Sequence, residues 1–326
     1  MTLLAVEGLN VTLATDAGPV AVVHDVGFTL DRRETLGIVG ESGCGKTMTA
    51  LALMGLLPEA ARTAGRILFD GEDLLAADEA RLCSLRGDRL AMIFQEPTTA
   101  LNPVHTVGHQ VAEVLMLHRD MAETAALAEA RRLLDMVGLP RAAERLAAYP
   151  HQLSGGQRQR VMIAMALACK PDILVADEPT TALDVTVQAQ ILDLIGELVR
   201  ELGMALVLIT HDLGVVGQVT DRVAVMYAGR VVESGPTEAI FAKRAHPYTQ
   251  GLFKARPSHA GQGRAAGTAA RLATIPGLVP DPRSPPPGCA FAPRCPHAIE
   301  ICRRPPPLVA IGESHDALCH RVGEWT

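Results

Sequence analysis

Three groups of residues in this 326-residue chain have the types and spacing to do chemistry. The first is Gly40-Glu41-Ser42-Gly43-Cys44-Gly45-Lys46-Thr47, in the spacing GxxxxGK[ST]. Glycines there let the backbone curl so that N–H groups point at phosphate oxygens, and the N-terminus of the following helix adds its dipole. Lys46 is placed to reach the β- and γ-phosphates of a nucleotide, and the Thr47 hydroxyl to ligate Mg²⁺. The second group is Asp177-Glu178, closing the apolar run Ile173-Leu174-Val175-Ala176. Metal-assisted phosphoryl transfer needs one carboxylate near Mg²⁺ and one group to orient or deprotonate the attacking water, and adjacent acids at a strand end can divide these roles. The third is a set of thiols: Cys289, Cys295, Cys302 and Cys319 crowd the end of a chain whose other cysteines, Cys44, Cys83 and Cys169, are scattered.

Residues 153–160, LSGGQRQR, add a second anion clamp. Ser154, Gly155, Gly156 and Gln157 open a helix, where unpaired N–H groups and the positive dipole end face outward. Gln95, after the apolar run at 90–94, and His211, after LVLIT, mean little alone; so does Asp184 in TTALD.

The elements that must position these residues follow from the apolar pattern. Residues 3–30 alternate around Gly18-Pro19 and suggest short strands; TLGIV at 35–39 is a buried strand feeding the phosphate loop. A helix follows the loop and stops before Pro58. Buried strands are expected at 90–94, 172–176 and 204–210, with a helix over 186–202, and further strands near 222–233. Strand and helix in alternation imply an α/β fold with a mostly parallel sheet. Residues about 97–170, rich in Ala, Leu and Glu at helical spacing, form a helical subdomain. After about residue 255 the composition shifts: SHAGQGRAAGTAA reads as a linker, and the Pro-rich remainder promises few regular elements.

The order of phosphate loop, LSGGQRQR, Asp177-Glu178 and His211 resembles the ATP-binding cassette (ABC) ATPases over residues 1–240, a P-loop NTPase core with its helical subdomain. The resemblance implies ATP and Mg²⁺ as ligands, with Asp177, Thr47 and Gln95 on the Mg²⁺ side, Glu178 as general base, His211 as the switch histidine at the γ-phosphate, and Gln95 as its sensor. It also implies that Ser154, Gly155, Gly156 and Gln157, with Asp184, serve the ATP held by the opposite subunit of a head-to-tail dimer. The family's usual adenine-stacking aromatic is missing, because residues 1–27 contain no Phe, Tyr or Trp. His24, Val20 or Val22 is left to serve there, and weak base selectivity is expected.

Residues 241–326 resemble the C-terminal extension of the oligopeptide and dipeptide transporter ATPases, through His246-Pro247-Tyr248-Thr249-Gln250-Gly251-Leu252, Ile275-Pro276-Gly277, Pro287-Gly288-Cys289 and Arg294-Cys295-Pro296. The gaps between the four cysteines, five, six and sixteen residues, do not fit paired CxxC zinc knuckles. Four thiolates suit an iron–sulfur cluster, and the resemblance implies a 4Fe–4S cluster. Zinc, with His297, His315 and His320 as spare ligands, and free thiols are the rivals. Such a cluster is expected to be structural or redox-sensing and to stay outside the ATP chemistry.

Bulk properties narrow the role. A hydrophobic fraction of 48% supports a full core, and a net charge of −6 argues against a nucleic-acid partner. No apolar run approaches a spanning helix, and MTLLAVEGLN lacks a signal-peptide pattern. An ATP user of this kind belongs in a reducing compartment, where disulfides are rare. The resemblance implies an ATP-hydrolysing subunit that drives peptide import, peripheral on the cytoplasmic face of the membrane. Its partners would be two integral membrane permease subunits, a second ABC ATPase subunit, identical or homologous, and an extracytoplasmic substrate-binding protein. The rivals are an importer of nickel or another small solute, and a non-transport ABC ATPase acting on DNA or ribosomes. Against the latter, residues 48–153 between loop and signature are of ordinary length, and there is one cassette.

Overall fold

The computed structural model describes residues 1–181, 183–255 and 274–324. The linker expected at 258–270, and Ala182 of the TTALD run, lie outside them. Twelve strands form two sheets among the described residues: β1 (Thr2–Thr15), β2 (Gly18–Asp31), β3 (Thr35–Val39), β4 (Ala61–Phe69), β5 (Glu72–Asp73), β6 (Leu90–Ile93), β7 (Ile173–Asp177), β8 (Ala205–Thr210), β9 (Arg222–Tyr227), β10 (Arg230–Pro236), β11 (Leu308–Gly312) and β12 (His315–Leu318).

The smaller sheet is antiparallel in the order β2-β1-β4-β5. Its first two strands are one long hairpin rather than several short strands. Alternation along them puts Leu4, Val6, Leu9 and Val11 opposite Val23, Val26 and Phe28 on a buried face. The larger sheet runs β11-β12-β10-β9-β3-β8-β7-β6. Strands β3, β7 and β8 are buried at every position, as near-continuous apolar runs in a parallel sheet should be. Their carboxyl ends open on one edge, and that edge carries the phosphate loop after β3, Glu178 after β7 and His211 after β8. Ligands of open parallel sheets bind on that side.

The helical subdomain forms as expected. Helices Val107–Arg119, Glu123–Met136 and Gly155–Leu167 pack Val107, Val111, Leu133, Leu134 and Ile163 into a shared core with β6 and β7.

The extension is more regular than its prolines suggest. After the helix Pro247–Lys254 and two 3₁₀ turns, Ala292–Arg294 and Glu300–Arg303, the β11–β12 hairpin adds to the large sheet, with Glu233 of β10 opposite Ala317. This covers a sheet edge that β10 would otherwise leave open. The joint is polar and buried: the Glu233 carboxylate accepts from the Ala245 and His246 N–H groups at 2.8 and 2.9 Å and meets His315 Nε2 at 2.9 Å. An aromatic group seals it. The ring of Tyr227, from β9, lies 4.6 Å from that of Tyr248 and 5.2 Å from that of Phe291, edge-on.

Candidate functional site at the phosphate loop

The loop from Gly40 to Lys46 runs between β3 and the helix Lys46–Leu53. Two glycines are required by its shape. A Cβ at Gly40 would sit 2.2 Å from the Met226 carbonyl oxygen, and Gly45 caps the helix in the left-handed region, φ 99°. Lys46 is buried and donates to the carbonyls of Gly40 and Glu41 at 2.8 and 3.1 Å, which bends the loop around its own ammonium group. A cavity of about 380 Å³ opens here, lined by Val22, by Ser42, Gly43, Gly45, Lys46 and Thr47, and by Gln95, Glu178 and His211. A larger cavity of about 580 Å³ lies by Arg33, Thr35 and Gly203, at the opposite end of β3, and contains none of the phosphate-binding residues.

Thr47 Oγ1 and Asp177 Oδ1 are 3.3 Å apart, so the loop and the acidic strand end share one oxygen-rich corner. Burial raises the Asp177 carboxyl above its ordinary range, against the Thr47 hydrogen bond and the Lys46 charge, which lower it; the neighbouring Glu178 charge adds to the rise. Hard oxygen donors of this kind fit Mg²⁺, whose charge would favour the ionised form. Gln95, expected on the Mg²⁺ side, is turned toward Glu178: its Nε2 lies 3.4 Å from Glu178 Oε2.

Glu178 is the centre of the site. Its backbone takes φ 44°, a left-handed conformation costly for a residue with a side chain. Its N–H is anchored to the Ile209 carbonyl at 2.9 Å. The carboxylate accepts from Thr181 Oγ1 at 3.0 Å, lies 3.6 Å from His211 Nδ1, and is 3.8 Å from Lys46 Nζ. Residues expected from four separate motifs therefore meet at one carboxylate. Thr181 was not singled out by the sequence beyond its place in the TTALD run.

The signature residues stand elsewhere. Ser154 and Gln157 form a capping box, Ser154 N–H donating to Gln157 Oε1 at 3.0 Å, and the Gly155–Leu167 helix starts at the exposed residues Ser154 and Gly155. None of Ser154, Gly155, Gly156 and Gln157 lines the cavity around Lys46. Asp184 does not line it either: its Oδ1 caps the helix Val185–Leu202, accepting from Val187 N–H at 3.0 Å. Of the three residues proposed for adenine, Val22 lines the cavity. Val20 is buried, and the half-buried His24 packs on the turn at Gly229, where a Cβ would lie 2.7 Å from its Cδ2.

Cys289, Cys295, Cys302 and Cys319 line one small cavity of about 20 Å³, as do His297 and His320. The expected ligand set is nevertheless not assembled: among the described residues no three His, Cys, Asp or Glu side chains are grouped to hold a metal ion. Cys289 and Cys295 pack against the apolar cluster around Tyr227, Tyr248 and Phe291, and burial raises both thiols. His315, a spare zinc ligand by sequence, is engaged with Glu233 instead. In donor chemistry the four sulfurs around this cavity suit a soft metal or cluster.

The extension also reaches the phosphate loop, which the sequence did not suggest. Arg294 makes a bidentate pair with Glu41 at 2.6 and 3.0 Å, and the Tyr248 hydroxyl accepts from the Glu41 N–H at 2.8 Å.

Comparison with known proteins agrees with this geometry. Residues 23–181 match the family described as ABC transporter, and residues 232–302 match the oligopeptide/dipeptide transporter C-terminal region. The chain is 51% identical to the oligopeptide transport ATP-binding protein OppD of Salmonella typhimurium over 99% of its length and 94% of that protein. It is 51% identical to the dipeptide transport ATP-binding protein DppD of Bacillus subtilis over 97% of its length and 93% of that protein. Among solved structures, a dimeric ATP-binding cassette in a post-hydrolysis state bound to ADP and Pi superposes with a TM-score of 0.64 at 28% identity, covering 72% of this chain and 98% of that one. With a phosphate loop, an acidic strand end and a signature helix on one cassette and a peptide-transporter extension docked to it, the chain belongs to the ABC transporter ATPases, in the oligopeptide and dipeptide transport group.

Proposed function

We propose that this chain hydrolyses ATP to drive import of dipeptides and oligopeptides, as the ATPase subunit of a membrane complex. The observation that carries the hydrolysis is the convergence of Gln95, Thr181, His211 and Lys46 on the Glu178 carboxylate. The match of residues 232–302 to the peptide-transporter region supports a peptide substrate over nickel, and a transport role over one on DNA or ribosomes.

In this reading the glycine-rich loop and Lys46 cradle the triphosphate, and Thr47 and Asp177 hold Mg²⁺, which supplies positive charge to the β- and γ-oxygens. Glu178 takes the proton of the attacking water. Gln95 and His211, hydrogen-bonding distance or a little beyond from that carboxylate, orient the water and sense the γ-phosphate. The strained Glu178 backbone fixes the direction from which the water is held.

Ser154, Gly155, Gly156 and Gln157 complete the nucleotide site of a second cassette, supported by the exposure of Ser154 and Gly155 and by the absence of all four from this chain's own cavity. Asp184 acts across the same interface, at the start of its helix. The partners are a second ATPase subunit, two permease subunits and an extracytoplasmic substrate-binding protein; no helix among the described residues is long and apolar enough to cross a membrane, which fits a peripheral subunit on the cytoplasmic face. Residues 1–240 are the ATPase domain and 241–326 its extension. Cys289, Cys295, Cys302 and Cys319 are the donors for a 4Fe–4S cluster, a reading supported by four soft donors around one cavity; holding it would require the four thiols to draw into one ligand set, which they do not form among the described residues.

Uptake of labelled tripeptide in a strain lacking this chain tests the assignment. Wild type restores uptake and Glu178→Gln does not. Restored nickel uptake without peptide uptake would make the small-solute importer the correct reading.

A further inference from the structure

We propose that Arg294 and Tyr248, both in the C-terminal extension, are positioning residues for ATP: they orient Glu41 in the phosphate loop and cancel a carboxylate charge that otherwise opposes the triphosphate. Glu41 sits between Gly40 and Ser42, and Ser42 lines the nucleotide cavity while Glu41 does not. The N–H and carboxylate of Glu41 are committed to the extension, and its carbonyl to the cavity-lining Lys46. Its carbonyl accepts from Lys46, its N–H donates to the Tyr248 hydroxyl, and its two carboxylate oxygens accept from the Arg294 guanidinium. The loop's first turn is therefore held from outside the ATPase domain, across 253 residues of sequence in the case of Arg294.

Arg294 is built for this contact. Its side chain is only 4% exposed. A guanidinium has five N–H donors in a planar fork. Here Nη1 serves Glu41 Oε2 and the Tyr227 hydroxyl, Nη2 serves Glu41 Oε1 and the Ile275 carbonyl, and Nε serves the Pro276 carbonyl. Among the described residues the carboxylate paired with this buried charge is that of Glu41. Burial pushes the Tyr248 hydroxyl well above its ordinary range, so it remains a neutral acceptor for the loop N–H.

The consequence is electrostatic. Charges in water are screened only over about 8 Å at physiological salt, so the carboxylate of Glu41, the residue before cavity-lining Ser42, would act on a triphosphate bound there. Paired with Arg294, Glu41 is neutral toward it; unpaired, Glu41 repels it. Arg294 also directly precedes Cys295, so whatever orders the thiol-lined part of the extension sets the position of Arg294.

The test is a double-mutant cycle on the full chain, reading the Kd for the non-hydrolysable analogue AMP-PNP with Mg²⁺. Arg294→Met raises Kd by about tenfold, the size expected for a lost charge-assisted pair. Adding Glu41→Gln to that variant brings Kd back to within about threefold of wild type, since the repelling charge is gone. A role confined to fastening the extension would give no such rescue, because Glu41→Gln cannot restore a lost tether. A folded Arg294→Met variant with wild-type affinity, or a double variant as weak as Arg294→Met, overturns the proposal. If Arg294→Met does not fold, Tyr248→Phe, which removes one hydroxyl from the loop N–H, raises Kd several-fold; unchanged affinity in that variant overturns the proposal as well.

Discussion

The Glu178 carboxylate stands 3.8 Å from the Lys46 ammonium, so the base proposed for water and the lysine proposed for phosphate share one electrostatic site. The pair joins a strand end to a loop 132 positions earlier in the chain, and it is closed on its other side by Thr181, Gln95 and His211.

Replacing Glu178 with Gln keeps shape and hydrogen-bonding capacity but removes the proton acceptor. ATP binding persists, while turnover falls by about 10²–10⁴, the usual worth of one general base. Steady-state phosphate release against Kd for MgATP checks this. Activity near wild type would remove Glu178 from the base role.

Ser154→Arg places a long cation at the start of the signature helix, on an exposed surface away from the chain's own nucleotide cavity. Nucleotide affinity of the monomer should be unchanged, and ATP-driven dimerisation should be lost. Light scattering with Glu178→Gln as the background reads the second outcome. A monomer that lost nucleotide affinity would place the signature in cis.

Val22 offers adenine an aliphatic contact where an aromatic ring would add roughly 0.5–1.5 kcal/mol beyond buried area. ATP and GTP should compete within about tenfold of each other, and Val22→Tyr should tighten both. A strong ATP preference in wild type would mean that polar groups read the base.

The extension should respond to acid. Burial holds the His246 imidazole neutral, with its pKa lowered from 6.5 to about 3, and its Nδ1 accepts from the Tyr248 N–H at 3.1 Å. The unfolded imidazole gains a proton below about 6.5 and the folded one does not until about 3, so the unfolded state binds more protons in that window and stability falls as pH drops through it. His246→Asn keeps an acceptor for Tyr248 and removes the titration. Its melting temperature should fall less steeply than wild type between pH 6.5 and 4; parallel curves would contradict this.

Protein purified without oxygen should be brown if the four thiols bind a cluster, with broad absorbance near 400 nm. Cys295→Ser with Cys302→Ser should bleach it. Because Arg294 precedes Cys295, the same variant should also weaken AMP-PNP binding, contrary to what the motif order alone suggests. A colourless chain with one zinc would exclude iron, and one without metal would leave free thiols.

The motifs of the proposed ATP site were legible in the sequence because each is local. A tight turn needs glycine at Gly45, a buried parallel strand needs an unbroken apolar run such as Ile173-Leu174-Val175-Ala176, and a helix start needs a cap such as Ser154; each is satisfied by residues a few positions apart. Their order along the chain then specified the family. What the sequence could not express is which distant residues compensate each other. That Glu41 would lie against Arg294, that Glu233 would be buried under His315, and that Thr181 rather than Gln95 alone would hold Glu178 depend on how strands far apart in the chain stack in one sheet. A buried charge must find its partner in space, and periodicity carries no record of that partner. The extension illustrates the same limit. Its prolines read as irregular chain, yet β12 completes the sheet because the open edge of β10, supplied by another part of the protein, satisfies its backbone.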